Sequence, residues 1–160
     1  MKTQTSWWKG KHGEWYVVVQ LILLFIAVFG PLSRWRLPFP ASKLTLFIGC
    51  VFLLTGSLLF ISVILRLGAN FSALPYPKPE SRLIATGPYR IMRHPMYSGV
   101  ILIAFGWAFV MHSWLAIGTA IVIFIFIDIK SRREEQWLKA KFSDYAAYQK
   151  RVQKLLPFVY

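Results

Sequence analysis

Gly87-Pro88-Tyr89-Arg90-Ile91-Met92-Arg93-His94-Pro95-Met96-Tyr97-Ser98-Gly99 sets two arginines, a histidine and two tyrosines between helix breakers, directly ahead of a long apolar run. A proline fixes its own φ and pushes the preceding residue out of the α region, so His94 is expected to be extended and Pro95 to open a helix. Arg93 and His94 then sit at a helix N-terminus, where unpaired N–H groups and the helix dipole favour an anion. For an arbitrary Arg-His pair the plainer reading is an interfacial turn touching lipid phosphates. So many breakers, rings and cations in one short stretch argue for a built site.

Outward from that stretch, the chain of 160 residues is 56% hydrophobic with a mean hydropathy of +0.50, too apolar for a soluble domain of this size. One domain, residues 1–160, is expected. Nineteen Lys and Arg against six Asp and Glu leave a net charge of +13. Because the basic residues flank apolar runs, they read as topology signals and contacts to anionic lipid headgroups, with no nucleic acid as partner. The single cysteine, Cys50, lies within an apolar run and offers neither a disulfide framework nor a metal cluster. No ligand set for a metal stands out.

Residues 1–13 carry Lys2, Lys9 and Lys11 beside Trp7 and Trp8, a membrane-interface flank, with His12 as a surface residue. Residues 15–29 are apolar apart from Gln20 and stop at Gly30-Pro31, enough for roughly 22 Å of helix at about 1.5 Å per residue. The Ala27-Val28-Phe29 end lacks a small-x-small cleavage pattern, so an uncleaved first span is expected rather than a signal peptide. Residues 31–42, with Arg34 and Arg36, form a short external loop. Residues 44–65 are the clearest transmembrane helix, closed by Arg66, with Gly49, Thr55, Gly56 and Ser57 as small residues that let helices approach in lipid. Residues 1–66 thus hold two N-terminal spans.

Residues 67–95 turn to Gly, Asn, Ser and Pro, with Pro75, Pro77 and Pro79 spaced two apart. Such a connector lies at the surface or lines a protected cavity. Residues 96–129 would run about 50 Å as one helix, longer than a bilayer core of roughly 30 Å, and are therefore split into a tight hairpin turning near His112-Ser113. Asp128 near its end is expected to pair with Lys130, Arg132 or Arg133. Over residues 130–160, Leu138, Phe142, Tyr145, Tyr148, Val152 and Leu156 recur at three- and four-residue spacing, predicting an amphipathic helix on the membrane surface or over the connector. The fold class expected is all-α: a polytopic membrane protein of about four transmembrane helices, the last two a tight hairpin, plus a cytoplasmic amphipathic C-terminal helix.

Charge placement orients this arrangement. The termini and the segment from Arg66 to Arg93 hold sixteen of nineteen Lys and Arg, which puts both termini and the opening motif in the cytoplasm, with a bacterial inner membrane as the expected setting. The motif and the pair Glu134-Glu135 then share one side. Arg93 and His94 can hold a carboxylate, Glu134 and Glu135 an ammonium or the hydroxyls of a ribose, and Tyr89 and Tyr97 an adenine or a sulfonium. S-adenosylmethionine has all of those parts. Spacing alone equally allows Glu134 to form a capping box with Ser131, or the acidic pair to face solvent beside Lys139.

The run GPYRIMRHPMYSG, followed after a hydrophobic hairpin by EEQWLKAKFSDYAAYQKRVQKLLP, resembles the isoprenylcysteine carboxyl methyltransferase family and its phospholipid N-methyltransferase relatives. The stretches 67–72 and 83–87 are also similar, so the resemblance covers about residues 66–157. It implies an integral membrane methyltransferase that uses S-adenosylmethionine, with His94, Pro95, Met96 and Tyr97 lining the cofactor pocket, Leu83, Ile84 and Tyr89 near it and Glu134 closing it; Arg93 and Glu135 join this cofactor-binding set on the chemistry given above. It also implies a substrate-binding role for Lys130, where eukaryotic members carry an arginine. A lysine is a point charge rather than a bidentate fork, so that position departs from the pattern. Ser143 in place of a frequent glycine, and Gln153-Lys154 in place of Pro-Arg, are further departures.

The activity expected is methyl transfer at the cytoplasmic face to a lipophilic small molecule or lipidated substrate. A carboxylate, ionised at neutral pH given an ordinary value near 4, is mildly favoured as nucleophile over an amine, which needs a base. Two alternatives stand beside it: an NADPH-dependent enzyme like the sterol reductases, and a non-enzymatic membrane subunit holding lipid or a partner.

Overall fold

The computed structural model describes residues 13–33, 37–68, 72, 74–77 and 80–155. Five helices follow in order: α1 (Glu14–Phe29), α2 (Lys43–Leu67), α3 (Pro95–Val110), α4 (Trp114–Lys141) and α5 (Tyr145–Arg151). Among the described residues there is no sheet, only isolated bridges joining Pro38 to Ser113 and Met92 to Gln153. The helical membrane fold expected from hydropathy is present. Three helices, α1 with its 3-10 extension to Leu32, α2 and α4, are long and apolar enough to cross a membrane, and α3 is a shorter apolar helix. The basic flank of residues 1–12, with His12, and also Arg34, Arg36, residues 69–71, Pro79 and Leu156 lie outside the described residues.

Local chemistry sets the helix ends. Ser42 begins α2 with a reciprocal capping box: its Oγ accepts from Thr45 N at 3.0 Å, and Thr45 Oγ1 accepts from Ser42 N at 3.1 Å. Ser113 caps α4 by accepting from Ala116 N at 3.2 Å. The hairpin turns at Met111–Ser113, as its length required, with His112 at φ 47° and its ring on Thr45 Oγ1 at 3.2 Å. His94 is non-helical, with φ −123° and ψ 58°, and Pro95 opens α3.

α2 and α3 pack through two glycine pairs in antiparallel register. A Cβ on Gly56 would stand 2.9 Å from the Gly99 carbonyl oxygen, and one on Gly106 would stand 2.9 Å from that of Gly49. In lipid, such close backbone approach and the dispersion it permits replace the hydrophobic drive available in water. The remaining core joins α1, α3 and α4 through Ala27, Ile101, Ala104, Ala120, Ile123 and Ile127, while Phe25, Phe47, Leu54, Leu65 and Ile125 face outward. At 1.5 Å per residue, 28-residue α4 runs about 42 Å, about 12 Å longer than a bilayer core. Its last turns therefore project beyond the hydrocarbon region.

The C-terminal region differs from the expected single amphipathic helix. Residues 130–141 continue α4 without a break at Ile129. Phe142 is then extended (φ −114°, ψ 115°), α5 spans only seven residues, and Val152 is extended again. The reason lies in backbone pairing: Arg93 N donates to Gln153 O at 2.8 Å and His94 N to Lys154 O at 3.0 Å, which a helix through these residues would forbid. Leu155 O also accepts from the buried Ser98 hydroxyl at 2.5 Å. Asp128 pairs with Arg132 at 2.8 Å and Lys154 at 2.5 Å, and Lys130 turns elsewhere.

Candidate functional site

Where the connector, the start of α3, the projecting end of α4 and α5 converge, they enclose a cavity of about 270 Å³. The connector contributes Leu83, Ile84, Tyr89, Arg93 and His94, α3 adds Met96 and Tyr97, and α4 adds Lys130 and Glu134. Pro95 is fully buried behind this wall and Glu135 also stands off the lining, so of the residues expected at the site these two alone do not face the cavity.

The polar atoms are ordered by a short network. His94 and Tyr97, one helical turn apart, stack with ring centroids 5.4 Å apart at 14°. The Tyr97 hydroxyl donates to Glu134 Oε2 at 2.7 Å, and His94 Nδ1 lies 3.9 Å from the same oxygen. The other ring nitrogen of His94, Nε2, is 3.2 Å from Glu135 Oε1. Glu135 thus holds one side of the imidazole, while Glu134 lies near the other and is held by Tyr97. Because successive residues on a helix point about 100° apart, only Glu134 reaches the cavity while Glu135 turns behind it. Glu134 makes no capping box with Ser131, whose hydroxyl donates to Asp128 O at 2.9 Å.

Arg93 is committed to the protein. Its Nε donates to Glu135 Oε1 at 2.7 Å, and its Nη1 donates to Gln149 O at 3.0 Å and to Val152 O. Gln149 Nε2 completes the set on Glu135 Oε2 at 2.8 Å. The expectation that Arg93 and Glu135 are directly available to a ligand meets a different geometry: the two hold each other and tie the connector to α4 and α5. Both side chains are about nine-tenths buried, so the pair is largely shielded from solvent.

Lys130 is buried at 2% exposure. Its Nζ donates to Gln20 Oε1 at 2.6 Å and sits 5.2 Å from the centroid of the Tyr97 ring. Gln20, with Val17 and Leu21, lines the cavity from α1. Gln20 carries no site role in the sequence analysis, yet it is the one polar residue in residues 15–29, and intramembrane polarity is itself a functional signal. Leu138, Phe142, Tyr145 and Tyr148, an amphipathic stripe in the sequence with no site role assigned to it there, also line the cavity. The signal that could have found the tyrosines is their shared spacing on the stripe that faces the connector.

Burial keeps the tyrosines of the connector and α5 protonated. Burial, then the Glu134 carboxylate, raise the Tyr89 phenol well above its ordinary range. Burial, then Glu135, do the same for Tyr145. Burial lifts Tyr148 to about 12. The Tyr148 hydroxyl donates to Tyr89 O at 2.6 Å, locking α5 onto the connector. Lys141 Nζ donates to Ser81 Oγ at 2.9 Å, a second tie between α4 and the connector. The result is a recess with aromatic faces, one carboxylate and one imidazole near its polar end, an ammonium beside them, and apolar walls from α1, α2 and α3.

Comparison with known proteins gives a consistent picture. The profile of the phospholipid methyltransferase family matches residues 44–145. Protein-S-isoprenylcysteine O-methyltransferase B of Arabidopsis thaliana is 32% identical over 115 residues, covering 69% of this chain and 58% of that protein. Protein-S-isoprenylcysteine O-methyltransferase of Saccharomyces cerevisiae is 32% identical over 127 residues, covering 74% of this chain and 52% of that protein. A probable protein-S-isoprenylcysteine O-methyltransferase of Oryza sativa subsp. indica is 27% identical over 117 residues, covering 71% and 61%. The chain spans little more than half the length of these curated relatives.

Proposed function

The chain belongs to the phospholipid methyltransferase family, and we propose that it transfers a methyl group from S-adenosylmethionine to a lipophilic, membrane-associated acceptor at the cytoplasmic face. The observation that carries this reading is the convergence of Tyr89, His94, Tyr97 and Glu134 on one cavity that also opens onto apolar helix walls. Those groups fit the donor's parts. Ring faces and a carboxylate suit a sulfonium and an α-ammonium, and the same carboxylate suits ribose hydroxyls. When bound, the donor supplies an electrophilic methyl group on a positively charged sulfur.

The chain's own work is positioning. Tyr97 orients the Glu134 carboxylate through its hydrogen bond, and Glu135 together with the stacked Tyr97 ring fixes the imidazole plane of His94. Methyl transfer is an in-line displacement, so alignment and exclusion of water supply most of what the protein can add. Leu83, Ile84, Met96 and Phe142 provide the apolar lining that excludes water. Lys130, on the same wall, offers a cation to an anionic acceptor. A carboxylate nucleophile needs no base at neutral pH, since its ordinary value is near 4. The names of the relatives support the same choice of acceptor class. Orientation follows from the sixteen of nineteen Lys and Arg on the side of the motif and the termini.

The test is binding followed by transfer. S-adenosylhomocysteine should stabilise the detergent-solubilised wild type against thermal unfolding, by about 2.7 kcal/mol at a hundredfold excess over Kd, whereas NADPH should not. Glu134→Ala should lose most of that stabilisation. Identical responses of wild type and Glu134→Ala would overturn the cofactor assignment. Transfer of a labelled methyl group from the donor into a lipid extract of the host membrane then identifies the acceptor.

A further inference from the structure

We infer that Gln20 is a positioning residue that holds the Lys130 ammonium against the cavity wall, so that α1 helps set recognition of an acceptor bearing an anionic headgroup. The inference rests on the methyltransferase reading and extends it to a helix outside residues 44–145 that match the family profile.

Three observations carry it. Lys130 Nζ is buried, yet among the described residues it makes no ion pair. Its partners there are one amide oxygen at 2.6 Å and the face of Tyr97. An ammonium has three N–H donors, and one neutral acceptor with one ring face leaves donor capacity directed at the cavity it lines. A buried cation without a carboxylate partner is costly unless an anion joins it. Lys130 also has four rotatable bonds, and the Gln20 oxygen selects one of its positions. Gln20 in turn is an amide on an otherwise apolar stretch that has its side-chain oxygen satisfied by Lys130, from a position 110 residues away. That contact ties Lys130, one helical turn from Glu134, to the part of the cavity lined by Val17, Gln20 and Leu21 of α1.

Wild type, Gln20→Met and Gln20→Glu are compared in detergent. The first variant keeps the side-chain length and removes the acceptor oxygen; the second keeps the oxygen and offsets the ammonium's charge. The probes are S-adenosylhomocysteine, an S-isoprenylated N-acetylcysteine with a free carboxylate, and the methyl ester of that compound. Both variants should retain wild-type stabilisation by S-adenosylhomocysteine, while the carboxylate probe should need about tenfold higher concentration, and more in Gln20→Glu. The uncharged ester should bind all three proteins alike, a selectivity that a purely structural role for Gln20 would not produce.

An unchanged response to the carboxylate probe in both variants, or equal weakening of carboxylate and ester, would overturn the inference. So would failure of the carboxylate probe to bind a wild type that does bind S-adenosylhomocysteine. Failure of S-adenosylhomocysteine itself to bind wild type would instead overturn the methyl-donor reading. If Gln20→Met does not fold, Gln20→Glu, which preserves the hydrogen bond, carries the test with the same criteria.

Discussion

Glu134 and Glu135 are neighbours in sequence and opposites in role. Glu134 faces the cavity and is held by Tyr97; Glu135 faces Arg93, His94 and Gln149. Removing one partner of a buried charge pair leaves the other without compensation, so Glu135→Ala should destabilise the protein by about 3 kcal/mol or more. Glu134→Ala, which frees one phenol hydroxyl, should cost only about 1–2 kcal/mol. Thermal unfolding of the two variants with and without S-adenosylhomocysteine separates the roles: Glu135→Ala lowers the transition itself, and Glu134→Ala chiefly abolishes the ligand's shift. At this scale the motif was largely readable, since the breakers around His94 and Pro95 act through their own backbone. The division between the two glutamates was not, because it depends on which way α4 is rotated about its axis.

At the scale of elements, the α2–α3 interface is decided by glycine. A methyl group on Gly106 would meet the Leu53 backbone nitrogen at 2.7 Å, whereas one on Gly118 of α4 would meet nothing within 4 Å. Gly106→Ala should therefore force the helices apart at a cost of about 1–3 kcal/mol. Gly118→Ala should be neutral or stabilise by up to about 1 kcal/mol through helix propensity. Thermal unfolding in matched detergent checks both. Gly49 and Gly56 were recognisable as packing residues from their apolar setting. Their partners Gly99 and Gly106 were not, because pairing requires the antiparallel register in which α2 and α3 pack. Helix α4 was legible as a span but not as a continuous rod to Lys141, since hydropathy falls after Ile129 while helix propensity persists through Lys130-Ser131-Arg132-Arg133-Glu134-Glu135.

For the whole molecule, the segment after α5 closes the fold by pairing with the motif. Arg93 N, His94 N and Ser98 Oγ all donate to carbonyls of residues 153–155. Truncation after Arg151 should consequently abolish stabilisation by S-adenosylhomocysteine, even though none of residues 152–155 lines the cavity. Retained stabilisation of the truncated protein, measured by thermal unfolding, would refute this coupling. The amino-acid sequence by itself determined the apolar helices, the hairpin turn near His112 and the polar break ahead of α3. Hydropathy, caps and proline act over a few residues, so each leaves a local mark. Only the tertiary structure decided that Gln20 meets Lys130, that Arg93 and Glu135 serve the scaffold, and that the C-terminal backbone unwinds to satisfy Arg93 and His94. These contacts join residues 42 to 110 positions apart, and their partners are chosen by how whole helices pack, which no local pattern records.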